Sequence, residues 1–88
     1  MDVEKQVLTI IARNFKKDIS EISVETKLMS ELGADSLDMI ELMLDIEDEF
    51  KIDFEDKRAE NIHSIQDAIS EIKKLLSTPK VDKKNYFV

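Results

Sequence analysis

An all-α domain is predicted from three features of this 88-residue chain. One glycine and one proline are too few turn residues for a β-rich fold. Apolar residues recur at helical spacing in three separate stretches. Cap-forming residues stand in front of those stretches: Asp2, then Asp35 and Ser36, then Ser64. Together they predict a small antiparallel bundle of three main helices plus one short helix.

Val3, Val7, Leu8, Ile11 and Phe15 share one face, which places a first helix over about residues 3–16 behind an Asp2 cap. Residues 17–35 form a long loop, with Ile19, Ile22, Leu28 and Leu32 available to pin it to the core. The second helix spans about 36–51, and "DFEDKRAENIH" after it holds at most a short helix around 56–61. Ser64 followed by Asp67 is a capping-box pattern. It opens a last helix carrying Ile65, Ala68, Ile69, Ile72 and Leu76. "STPKVDKKNYFV" has neither the period nor the length for another element, and Pro79 marks the stop. One domain over 1–77 is therefore expected, followed by a tail over 78–88 expected to be flexible.

Composition narrows the function. A 42% hydrophobic fraction supports a modest core, and a chain of this size buries roughly 60% of its unfolded surface. No cysteine is present, so disulfides, thiolate metal sites and thiol nucleophiles are excluded. "MDVEKQVLTI" lacks the basic start and apolar run of a signal peptide, and no apolar stretch reaches membrane-spanning length. A soluble, cytoplasmic monomer without membrane insertion is expected. The net charge is −7, unevenly placed. From Asp35 to Asp56 ten acids stand against Lys51 alone, a net −9, so the other residues sum to +2. That field repels nucleic acid and attracts basic surfaces. "DIEDEF" lacks the glycine and spacing of a calcium-binding loop, and no metal site is expected.

The second helix carries two apolar stripes. At 100° per residue, Met39, Leu42, Met43, Ile46 and Phe50 fall within about 100°, the width of a core-facing stripe. Leu37, Ile40 and Leu44 fall within about 60° on another side, flanked by Glu41, Glu47 and Asp48. A wide buried face would absorb Ile40. Leu37 and Leu44, with acids beside them, are expected to be partly exposed, as apolar residues rimmed by charge are at docking sites.

"GADSLD" raises the remaining question. With Asp35 as the N-cap and Asp38 at N3, Ser36 stands at N1 with its hydroxyl free. With Ser36 as the cap, Asp35 is ordinary loop. Capping preference alone leaves both open. A catalytic role for Ser36 is not expected: "GADSL" is not the G-x-S-x-G elbow, His63 is the only histidine, and the adjacent carboxylates oppose an alkoxide. A serine modified by another enzyme needs only exposure and a fixed backbone.

"LGADSLD", with "IELMLDIEDEF" and "AENIHSIQDAI" further along, resembles the acyl carrier proteins of the fatty-acid-synthase type over about residues 3–76. The resemblance implies that Ser36 receives 4′-phosphopantetheine from coenzyme A, transferred by a separate phosphopantetheinyl transferase that uses Mg²⁺. The arm ends in a thiol, which a cysteine-free chain otherwise lacks, and acyl groups ride on it as thioesters. The chain itself is then a carrier and not an enzyme. Asp35, Asp38, Glu41, Glu47 and Asp48, with Leu37, Ile40 and Leu44 between them, resemble the family's contacts for basic surfaces of fatty acid synthesis enzymes and acyltransferases. Leu28, Ile46, Phe54, Ala59, Ile62 and Ala68 resemble the wall of its acyl pocket, although each also suits an ordinary core. The chain departs from the family in "DFED", in Lys57 and Arg58, and in the tail from Thr78. Two rivals stand beside this reading. One is a carrier for another pathway, loading polyketide, aminoacyl or specialised acyl groups. The other is an acidic adaptor whose Ser36 is never modified.

Overall fold

The computed structural model describes residues 2–54 and 61–77. Three α-helices appear in order, α1 (Val3–Phe15), α2 (Ser36–Phe50) and α3 (Ile65–Ser77), with a single 3₁₀ turn at Ile19–Glu21 between the first two. No strand occurs among the described residues, so the all-α prediction holds. The expected short helix around 56–61 and the tail over 78–88 lie outside the described residues.

α1 starts where Asp2 accepts the Lys5 N–H at 3.3 Å. It ends at Lys16, which takes the left-handed conformation (φ 55°) and turns its N–H back to the carbonyls of Ala12 and Arg13. Lys51 closes α2 in the same way (φ 58°), bonding Glu47. Glycine is the usual residue at such a stop; here lysines hold it.

α1 packs against both α2 and α3. A helix gripped on two sides needs a broad apolar face, which explains why Ile10 and Ala12 are buried beside Val7 and Ile11. α2 sends Met39, Leu42, Met43, Ile46 and Phe50 into the same core, and α3 sends Ile65, Ala68, Ile69 and Ile72. Each large apolar side chain taken out of water contributes roughly 1.5–3 kcal/mol. Leu76 departs from the expected core stripe. Its angle matches, but it stands in the last turn, beyond the buried residues of α3, and is exposed; Leu75 packs on the core instead.

The long loop is pinned by Ile22 and Leu28, both buried, with Leu32 partly so. Ile19, the fourth expected anchor, is exposed. It sits in the 3₁₀ turn, whose geometry is set by a reciprocal cap, Asp18 to Ser20 N–H and Glu21 to Asp18 N–H, rather than by burial.

Backbone bonds tie this loop to the start of α3. Leu28 donates to the His63 carbonyl at 2.9 Å, Ile65 to Thr26 at 3.0 Å and Gln66 to Val24 at 2.7 Å. The last two satisfy N–H groups that a helix start leaves without intrahelical partners. The predicted capping box supplies the rest: Ser64 Oγ accepts the Asp67 N–H at 3.2 Å, and Asp67 accepts the N–H groups of His63 at 2.9 Å and Ser64 at 3.1 Å. The loop and α2 therefore begin from the same end of the bundle as α3.

The N–H groups of His63 and Ser64 hold the Asp67 carboxyl below the ordinary aspartate value. A carboxyl with a lowered native pKa stabilises the fold above its unfolded pKa and loses that contribution as pH falls through the native value. Asp67→Ala removes both hydrogen bonds and, with the carboxyl open to solvent, is expected to cost about 1 kcal/mol or less at pH 7. In urea titrations its deficit relative to wild type shrinks as pH falls below about 4. A deficit of constant size from pH 7 into acid would show that the ionised cap is not its source.

Candidate functional site

The site begins with the approach to α2. Gly33 has φ +73°, a conformation that L side chains rarely adopt, and nothing lies within 4 Å of where its Cβ would be. Backbone conformation, not space, is therefore what requires glycine there. Glu31 and Leu32 donate to the Lys27 carbonyl, Gly33 to Met29 and Ala34 to Leu28, which makes a hydrogen-bonded turn. Leu28 has no exposed surface, so this turn hangs on a core residue.

The turn delivers Asp35 in extended geometry as the α2 N-cap. Asp35 Oδ1 accepts the Asp38 N–H at 2.8 Å, and Asp38 Oδ2 accepts the Asp35 N–H at 3.1 Å. This reciprocal box decides between the two capping alternatives in favour of Asp35. Ser36 occupies N1, exposed, and its hydroxyl makes no hydrogen bond to any described residue. Among the described residues no second group is bonded to it: His63 is exposed at the entry to α3, where its backbone serves Asp67. The neighbouring carboxylates oppose negative charge on its oxygen.

Around the helix, the second apolar stripe stands in solvent as expected. Leu37 is 61% exposed and Leu44 48%, while Ile40 is half-buried. Glu41 and Asp48 beside them are exposed and pair with no described residue. Glu47 behaves differently, because Glu47 Oε2 accepts the Phe54 N–H at 2.7 Å and holds the chain leaving α2. Neither that bond nor the pairing on the other flank leaves a sign in the sequence pattern. There Arg13 Nη2 lies 3.1 Å from Asp45 Oδ2 and 3.8 Å from Glu49 Oε1, and Asn14 donates to the same Asp45 oxygen at 2.8 Å.

Of the residues expected to line an acyl pocket, Leu28, Ile46, Phe54, Ile62 and Ala68 are all buried in the common core. Ala59 lies outside the described residues. Among the described residues no group of three or more His, Asp or Glu is placed to hold a metal ion. No helix among them is long and apolar enough to cross a membrane.

The family model for the phosphopantetheine attachment site matches residues 5–72. The chain belongs to the acyl carrier protein family. Among its curated relatives is an acyl carrier protein of Rickettsia bellii (strain RML369-C), 40% identical over 72 residues, covering 82% of this chain and 84% of the relative. The R. bellii strain OSU 85-389 protein is 42% identical over 72 residues, covering 82% and 89%. That of Solidesulfovibrio magneticus is 40% identical over 74 residues, covering 84% and 95%. In structure the carrier resembles an apo doublet acyl carrier protein from prodigiosin biosynthesis, with a TM-score of 0.70 and 25% identity over 82% of this chain; the chain spans 35% of that longer one.

Phosphopantetheine is the cofactor of this carrier family. A group joined through a phosphate ester needs a hydroxyl that is exposed, unengaged and fixed in position. Ser36 meets all three conditions: it is open to solvent, Asp35 relieves it of capping, and its backbone lies between a capping box and a bonded turn. The residues present therefore fit the group.

Crowding of carboxylates along α2 has a cost. Neighbouring charges about 4 Å apart repel by ~1 kcal/mol in water and ~4 kcal/mol at an effective dielectric of 20. Since Glu41 and Asp48 have no described cation to offset them, the fold is expected to stabilise as the Debye length falls from ~30 Å at 0.01 M salt to ~3 Å at 1 M. Relief of about 1 kcal/mol raises the melting temperature by roughly 4–8 °C. Glu41→Gln with Asp48→Asn shrinks that response. A wild-type melt insensitive to salt would remove the repulsion from the account.

Proposed function

We propose that the chain carries acyl groups on phosphopantetheine joined to Ser36 and delivers them to the enzymes of fatty acid biosynthesis through the exposed side of α2. The observation that carries this reading is the Asp35–Asp38 capping box, which leaves the Ser36 hydroxyl at N1, exposed and unengaged.

Each part of the chain then has a task. Ser36 supplies the oxygen that attacks the pantetheine-side phosphorus of coenzyme A, the pyrophosphate P–O bond breaks and adenosine 3′,5′-bisphosphate leaves, while a phosphopantetheinyl transferase supplies Mg²⁺ and the base that takes the serine proton. The bound arm supplies a thiol, whose acyl thioesters are activated toward acyl transfer. Leu37 and Leu44, with the half-buried Ile40, offer the partner an apolar contact. Burial of each exposed side chain contributes roughly 1.5–3 kcal/mol before association costs. Asp35, Asp38, Glu41 and Asp48 steer a basic surface toward that contact and fix its orientation. Glu47 contributes charge while one of its oxygens holds Phe54. Leu28, Ile46, Phe54, Ile62 and Ala68, with Ala59 by sequence, form the interior that shelters the chain between visits. Residues 1–77 act as one monomeric carrier domain in the cytoplasm, with 78–88 as a tail. Catalysis resides in the partners.

A carrier for another pathway is the second reading, favoured by the structural likeness to the prodigiosin-biosynthesis protein. Identification of the acyl group borne by the chain in cells separates the two.

The test of the attachment point is intact mass after incubation with coenzyme A, Mg²⁺ and a phosphopantetheinyl transferase. The wild-type chain is expected to gain one phosphopantetheinyl group and a folded Ser36→Ala chain none. A folded, initially unmodified wild-type chain that gains nothing, while a known carrier in the same tube is modified, would leave an acidic adaptor as the better account.

A further inference from the structure

α2 carries more acid than its docking ridge uses. At 100° per residue, Asp48 and Glu41 lie beside Leu37 and Leu44, and the negative band then continues through Asp45 and Glu49 toward α1. A partner's lysine or arginine that followed charge alone would find two lanes. One runs along the apolar ridge, and the other along the α1 side, where Leu37 and Leu44 offer it nothing.

Arg13 stands in the second lane. Its Nη2 is 3.1 Å from Asp45 Oδ2 and 3.8 Å from Glu49 Oε1, and Asn14 Nδ2 occupies the same Asp45 oxygen from 2.8 Å. The Arg13 side chain is nevertheless 56% exposed. It neutralises two acids and at the same time presents a cation to whatever approaches. An ion pair this open to water contributes little to folding. Its effect on the surface field is larger, since like charges across an interface select against the wrong docking register.

We propose that Arg13 is a specificity-determining residue of the docking face, closing its α1 side to basic groups and so fixing the register in which a partner engages Leu37 and Leu44. The inference rests on the reading of α2 as a docking surface. It assigns to α1, outside that surface, control over how the surface is read.

The test uses the full apo chain as the substrate of a purified phosphopantetheinyl transferase, with product followed by intact mass and folding checked by thermal melts. Opening the second lane adds non-productive binding, which lowers KM and kcat together. Arg13→Gln is therefore expected to lower both by roughly two- to fivefold at low salt, the range of a single exposed charge interaction. The effect disappears at about 1 M salt. Removing the lane's acids as well, in the triple variant R13Q/D45N/E49Q, returns both constants toward wild type. A bridge that only stabilised the fold would show the opposite pattern, a lower melting temperature that the triple variant does not rescue. Wild-type kinetics for Arg13→Gln, or a change that persists in the triple variant, would overturn the proposal. Glu41→Gln separates it from its premise: a raised KM there retains the docking reading even when Arg13 fails, whereas an unchanged KM removes the docking reading itself.

Discussion

The reciprocal bond between Asp35 and Asp38 is the constraint on which the site depends. A helix start leaves several N–H groups without intrahelical partners, and a serine near such a start would ordinarily be drawn into satisfying one. Here Asp35 accepts the Asp38 N–H and Asp38 returns the bond to the Asp35 N–H. Ser36 is thereby held by backbone geometry and released in its side chain. A surface serine is left fixed and unengaged, as the proposed attachment of phosphopantetheine requires. The turn beneath it follows the same logic, because left-handed Gly33 and buried Leu28 let the loop arrive in extended form at Asp35.

α2 divides its charges by direction. Asp35 and Asp38 cap the helix, Glu47 receives the Phe54 N–H, and Asp45 with Glu49 meets Arg13. Glu41 and Asp48 are left facing solvent beside Leu37 and Leu44. The same helix buries Met39, Leu42, Met43, Ile46 and Phe50 on its far side. Core packing thus holds in place a helix face on which two carboxylates, paired with no described residue, flank two exposed leucines.

Periodicity made the helices, the core stripe of α2 and the exposure of Leu37 and Leu44 legible in advance, because burial on one side of a helix imposes a period that a linear pattern retains. It could not choose between Asp35 and Ser36 as the cap. Both residue types are strong caps, and only the direction of a hydrogen bond separates them. Contacts between distant segments left no local trace either. Arg13 reaches Asp45 across the α1–α2 contact, and Glu47 reaches Phe54 beyond the end of its helix. Ile19 and Leu76 misled in a similar way: residue type marked the first and helical spacing the second, while a capped 3₁₀ turn and the end of α3 placed them in solvent.

The central claim is that Asp35, and not Ser36, holds the start of α2. Amide hydrogen exchange at Asp38, compared among wild type, Ser36→Ala and Asp35→Ala under identical conditions, tests it most directly. Retained protection in Ser36→Ala with loss in Asp35→Ala is the predicted result. Loss of Asp38 protection in Ser36→Ala, with Asp35→Ala unaffected, would contradict it and return the serine to the role of a cap.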